Sequence, residues 1–219
     1  MKRKVNIMNL IELKNVSKSF KGLSLFEDLS VSFEKGKIYG IVGHNGSGKS
    51  VLFKMMCGFV FPDQGSIFVN GEELGKNKRF PESFGIIVDK PGYLGDKTGF
   101  ENLKYLAAIQ NKISDEKIKE TLAKVGLSHT ITQKVKNYSL GMKQKLAIAQ
   151  AIMEDQDVLL LDEPFNGLDV DSVENIRNLL KNLNKEGKSI FLTSHNNEDI
   201  EVLCEHVFRV RNCSLEQLK

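Results

Sequence analysis

Between an apolar run, Ile38-Tyr39-Gly40-Ile41-Val42, and a helix-forming stretch from Val51 to Cys57 stands Gly43-His44-Asn45-Gly46-Ser47-Gly48-Lys49-Ser50. The octad reads G-x-x-x-x-G-K-[ST], a P-loop, and its flanks predict strand, loop and helix in the order that motif requires. Glycines let successive backbone N–H groups turn inward around a phosphate chain, and the helix N-terminus adds positive partial charge. Gly43, Asn45, Gly46, Ser47, Gly48 and Val51 are therefore candidates for binding a nucleotide. Lys49 is placed to reach the β- and γ-phosphates, and the Ser50 hydroxyl to ligate Mg²⁺.

The 219 residues suffice for one well-cored domain with room for a subdomain. Hydrophobic content of 41% and charged content of 27% are those of an ordinary globular chain. A net charge of +3 does not argue for nucleic acid, and the basic runs Lys2-Arg3-Lys4 and Lys76-Asn77-Lys78-Arg79 read as solvated surface. No apolar run approaches the roughly 18 residues of a membrane span. Met1 to Asn9 lacks the apolar region of a signal peptide. Three cysteines, Cys57, Cys204 and Cys213, without C-x-x-C spacing fit a reducing compartment. A cytoplasmic protein is expected, peripheral if it serves a membrane.

The first third reads as strands. Ile11-Glu12-Leu13 and Leu29-Ser30-Val31-Ser32-Phe33 alternate with period two, and Ile67-Phe68-Val69 ends at the tight-turn pair Asn70-Gly71. The middle is helical. Thr98-Gly99-Phe100-Glu101 is a capping box, Ser114 caps a second helix closed by Gly126, and a third helix should begin near Gly141. The last third alternates apolar strands (Val158 to Leu161, Ser189 to Thr193, Val207 to Val210) with helices, which argues for a parallel, doubly wound core. The expected fold is α/β: a P-loop NTPase core with a mostly parallel sheet, an N-terminal antiparallel β flank and an inserted helical subdomain. Approximate boundaries put the core in 1–88 and 155–219 and the helical part in 89–154.

Val158-Leu159-Leu160-Leu161 runs into Asp162-Glu163, so a buried strand delivers two carboxylates at its carboxyl edge. Asp162 would hold Mg²⁺, directly or through its water. Glu163 can face a water in line with the γ-phosphate as general base. His195 follows the next strand on the same sheet edge, which brings its imidazole toward the same phosphates.

With these motifs in place, the chain resembles the ATP-binding subunit of an ATP-binding-cassette (ABC) transporter. Tyr138-Ser139-Leu140-Gly141-Met142-Lys143-Gln144 resembles the family's L-S-G-G-Q signature, Asn166-Gly167-Leu168-Asp169 its D-loop, and Thr193-Ser194-His195 its switch histidine. Phe20 sits where the family stacks an aromatic on adenine. The resemblance implies two cassettes head to tail around ATP, with Ser139, Leu140 and Gly141 acting on a nucleotide held by the other subunit. It also implies a separate transmembrane permease and no nucleic-acid partner. Two positions depart from the pattern. Asp89 stands where the family usually has Gln at the Mg²⁺ and water site, and the signature has Leu140 and Met142 for Gly and Gln. The variant Y-S-L-G-M-K-Q looks like the branch that exports antibiotics and peptides. The chain ends nine residues after Val210, so no appended regulatory domain is expected.

A P-loop GTPase is disfavoured because the guanine-reading N-K-x-D is absent. A non-transport ABC ATPase acting on nucleic acid or the ribosome would usually add a coiled coil or second cassette. A non-hydrolysing adaptor conflicts with intact Lys49, Asp162, Glu163 and His195. A permease helix would dock in a groove formed by Asp89 to Asn102 and the helical insertion. Phe100, Tyr93 and Leu94 are either exposed contacts there or packing of the insertion.

Overall fold

The computed structural model describes residues 9–75, 81–89 and 91–219. The basic runs Lys2-Arg3-Lys4 and Lys76-Asn77-Lys78-Arg79, and Lys90, lie outside the described residues. In chain order the elements open with β1 (Asn9–Phe20), β2 (Leu23–Glu34), β3 (Ile38–Val42), α1 (Lys49–Met56), β4 (Gln64–Val69), β5 (Glu72–Glu73) and β6 (Phe84–Ile87). Three helices follow: α2 (Gly99–Gln110), α3 (Asp115–Lys124) and α4 (Leu140–Ile152). The remainder alternates through β7 (Val158–Leu161), α5 (Val170–Lys185), β8 (Ser189–Leu192), α6 (Asn197–Leu203), β9 (His206–Arg211) and β10 (Ser214–Gln217).

One sheet, β2-β1-β4-β5, is antiparallel throughout. The other, β10-β9-β3-β8-β7-β6, is parallel except for its last pair, β9 with β10. Helices α2 to α4 are inserted between β6 and β7, which are parallel neighbours. This is the expected α/β arrangement of parallel core, antiparallel flank and helical insertion.

Side-chain alternation explains why the central strands read as unbroken apolar runs. Tyr39, Ile41, Val158, Leu160 and Phe191 point into the core between the sheets, where α1 also packs. Ile38, Leu159, Leu161, Ile190 and Leu192 point the other way, under the helices. A strand covered on both faces has no side on which a polar residue is cheap. Every carboxyl end of these strands then meets one edge of the sheet, where the loops can carry chemistry.

Strand β6 breaks the pattern at Gly85. Helix α4 lies so close that a Cβ there would stand 1.9 Å from the Ala151 carbonyl oxygen and 2.7 Å from Leu159 Cδ2. Gly85→Ala is therefore expected to destabilise by about 3 kcal/mol, the upper range for overpacking. In a chain of this size that lowers the melting midpoint by roughly 6–12 °C. Calorimetry that shows an unchanged midpoint would mean α4 is not seated on the strand in this way.

Local signals set most element ends. The Thr98 hydroxyl accepts from Glu101 N–H while the Glu101 carboxylate accepts from Thr98 N–H, closing the expected capping box. Ser114 caps α3, and Ser139 and Asp169 cap α4 and α5. The N-terminal strands are longer than their alternation suggested, because β1 is bulged between Leu13 and Ser19 and the period-two pattern is lost there. Lys21-Gly22, with φ of 47° and 81°, forms the two-residue turn that pairs Phe20 with Leu23. Strand β10 was not anticipated. Tyr93 and Phe100 are not fully exposed, since both pack against the core beneath the helices, while Leu94 is exposed.

Candidate functional site

Strand β3 hands the chain to α1 through the glycine loop. Gly48, the residue before the helix, has φ 107°, and a Cβ there would press within 3.2 Å of the Phe26 ring. Only glycine suits both demands. Lys49 is nearly buried, and its Nζ donates to the carbonyls of Gly43 (2.8 Å) and His44 (3.2 Å), so the loop is clasped by its own lysine. The Ser47 hydroxyl is buried without a hydrogen-bond partner among the described residues. An orphan polar group in a glycine-rich loop that leads into a helix N-terminus fits a site for an anion's oxygens.

The loop bounds a cavity of about 330 Å³. Asn45, Gly46, Gly48, Lys49, Ser50 and Val51 line it together with Asp162, Glu163 and His195. Leu25 of β2 completes it, a residue with no sequence motif to mark it. Asp162 is held on both oxygens: Oδ1 accepts from the Thr193 hydroxyl at 2.7 Å, and Oδ2 accepts from the Ser50 hydroxyl in a very short contact. Thr193 is fully buried, and its Oγ1 also accepts from Glu163 N–H at 2.8 Å. Parallel pairing of Leu161 with Leu192 sets Thr193 beside Asp162, a juxtaposition of register rather than of sequence.

Glu163 adopts φ 52°, a left-handed backbone unusual for this residue type. Its Oε2 accepts from His195 N–H at 3.1 Å, and Oε1 lies 3.2 Å from His195 Nε2. That second approach lacks hydrogen-bond geometry, which leaves Oε1 buried without a donor among the described residues. Burial lifts the Glu163 carboxyl above the ordinary carboxylate range, with His195 pulling in the opposite direction. From the signature helix, Gln144 Nε2 donates to the carbonyls of Glu163 (3.2 Å) and Pro164 (3.1 Å), bracing the strained turn.

Other expected residues lie apart from this cavity. Asp89 lines a neighbouring cavity of about 540 Å³ together with Asp162 and Glu163, and its carboxylate pairs with Lys54 of α1 at 2.7 Å. Phe20 stands at the end of the N-terminal hairpin, 44% exposed, with Lys18 Nζ 5.0 Å from its ring. Ser139 and Gly141 open helix α4 on another part of the surface and are not among the residues that line the cavity. Beside them Leu140 is 57% exposed. Ser50 and Asp162 offer hard oxygens, and among the described residues no group of three or more acidic, His or Cys side chains is poised for a metal. That donor set fits Mg²⁺, which commonly takes one or two protein ligands and completes its shell with phosphates and water.

A second cavity, of about 350 Å³, opens between β6 and the helical insertion. Phe59, Val88, Pro91, Leu106, Ile109 and Met153 line it, and Phe59 and Ile109 are exposed. Among the described residues no helix is long and apolar enough to cross a membrane.

Comparison with known proteins places this geometry. The family described as ABC transporter matches residues 26–166. An uncharacterized ABC transporter ATP-binding protein of Bacillus subtilis, YybJ, is 42% identical over 94% of this chain and 95% of its own length. A bacitracin transport ATP-binding protein of Enterococcus faecalis, BcrA, is 37% identical over 90% of this chain, which spans 64% of that protein. A lantibiotic transport ATP-binding protein of Streptococcus pyogenes, SrtF, is 31% identical over 90% of this chain and 85% of its own. Among solved structures, a dimeric cassette bound to ADP and Pi, MJ0796, superposes with TM-score 0.86 over 95% of this chain and 99% of that one, at 21% identity. An ATP-binding subunit of an ABC transporter gives 0.83 over 95% and 90%, at 26% identity.

Proposed function

Because the chain belongs to the ABC transporter family as an ATP-binding subunit, an ATPase, we propose that it powers export of an antibiotic peptide or similar drug through a separate permease. The meeting of Lys49, Ser50, Asp162, Glu163 and His195 around one cavity supports this reading most strongly. In it, Lys49 leaves the Gly43 and His44 carbonyls for the β- and γ-phosphates, and Ser47 and the loop amides take phosphate oxygens. Ser50 and Asp162 would hold Mg²⁺, which would neutralise developing phosphate charge when bound. Glu163, its Oε1 lacking a donor, accepts a proton from the attacking water, and His195 orients that carboxylate. Asp89 would serve the same metal site, with Lys54 beside its carboxylate.

Two copies, or this chain and a relative, face each other so that Ser139, Leu140 and Gly141 meet the partner's nucleotide, with Phe20 against adenine. The helical stretch, residues 89–154, moves as a lobe against the core of 1–88 and 155–219. The permease docks in the groove of Phe59, Leu106 and Ile109, which holds the subunit on the cytoplasmic face of the membrane. The names of the bacitracin and lantibiotic relatives favour a peptide antibiotic as cargo. The deciding experiment is phosphate release from ATP by the subunit assembled with its permease in vesicles. No ATP-dependent release would end the proposal. Ile109→Asp should separate subunit from permease, seen as loss of co-purification, while ATP binding persists; an intact complex would place the contact elsewhere.

A further inference from the structure

The loop that carries His195 is held from behind by charges that no part of the hydrolytic scheme employs. Arg177 on α5 is 6% exposed and Asp199 on α6 is 2% exposed. Arg177 places Nε (2.9 Å) and Nη2 (2.6 Å) on the same oxygen, Asp199 Oδ1, and turns Nη1 to Glu198 at 3.1 Å. Asp199 Oδ2 is thereby left for one other donor, the Ser194 hydroxyl, at 2.6 Å. The Ser194 oxygen in turn accepts from Asn196 N–H at 3.0 Å. His195 thus lies between Ser194, which is fastened to the buried carboxylate, and Asn196, which is fastened to Ser194, and its own N–H donates to Glu163 Oε2 at 3.1 Å.

We infer that Arg177, Asp199 and Ser194 form a positioning bracket that fixes the His195 loop, and through the His195 N–H the carboxylate of Glu163, at the angle hydrolysis requires. The inference rests on the reading that Glu163 and His195 act at the γ-phosphate. Joining α5 to α6 would not by itself require such an arrangement. Apolar residues of similar volume would do so at equal or lower cost, because two charges must be taken out of water. An apolar pair would also give Ser194 nothing to hold. Fully hydrogen-bonded buried charges provide a fixed direction instead, and a hydroxyl locked in that direction sets the backbone around it. Asn196, whose side chain caps α6 through Glu198 N–H, extends the same restraint to the helix start.

Removing Arg177 would strand Asp199 and threaten folding, so the test uses Ser194, which is only half-buried. In the transporter complex, Ser194→Ala should lower kcat for ATP roughly ten- to a hundredfold, the effect of small misplacement of a reacting group. KM for ATP should stay within about twofold, because the phosphate loop is untouched. Ser194→Thr, which keeps the hydroxyl, should recover most of the rate. Glu174→Ala, which removes a distant partner of Arg177 at 3.7 Å and an exposed acceptor of Asn178, should change neither constant. Wild-type kcat in Ser194→Ala, a rise in KM in place of the fall in kcat, or no recovery in Ser194→Thr would each overturn the bracket. Glu163→Gln and His195→Ala run beside these separate the two claims. If both lose turnover while Ser194→Ala does not, the bracket alone falls; if both turn over normally, the hydrolytic reading and the bracket fall together.

Discussion

Glu163→Gln should cut ATP turnover by about a thousandfold while leaving ATP affinity nearly intact. The amide keeps the size of the side chain and one acceptor oxygen, so His195 N–H retains a partner and the left-handed turn at Glu163 is undisturbed. What disappears is the basic carboxylate whose Oε1 lies buried without a donor among the described residues. Burial already raises the proton affinity of that carboxylate, which makes it a better base than an exposed glutamate. With ATP bound and cleavage stalled, the two subunits should remain closed, and sedimentation should show a dimer that wild type forms only briefly. Turnover equal to wild type would remove Glu163 from the chemistry.

Lys49→Ala should act one stage earlier, on binding. Its Nζ is the one cation in the wall of the phosphate cavity whose position is fixed by the loop itself, through Gly43 and His44. Losing charge-assisted hydrogen bonds to two phosphates amounts to about 3 kcal/mol, or roughly a hundredfold in ATP affinity. Hydrolysis falls with it. Because Lys49 also bonds to its own loop, melting curves with and without Mg-ATP are needed to separate folding from binding. Wild type should gain stability from the nucleotide, and the alanine variant should gain little. An equal gain in both proteins would show that the phosphates do not depend on this lysine.

What could be read from the chain was whatever rests on neighbours in sequence. The glycine loop, the Thr98 capping box, the Asn70-Gly71 turn and the apolar strands are specified within a few residues, and each lies where its local chemistry directs it. Residues whose partners arrive through the fold left no such trace. Thr193 matters because β8 pairs with β7 in a register that sets it against Asp162. Leu25 reaches the cavity only because the antiparallel sheet lies over α1, and Gln144 reaches Glu163 because α4 packs against the core. Arg177 reads as an ordinary charge on an amphipathic helix until α6 brings Asp199 to it. The bulges of β1 hid half of a strand for a related reason, since an inserted residue shifts every later side chain to the opposite face.

The contacts among Ser50, Asp162 and Thr193 tie three separate segments of chain together at one rim of the sheet. A shift in any one of them must be felt by the other two. The start of α1 and the ends of β7 and β8 should therefore answer to a phosphate as a single unit.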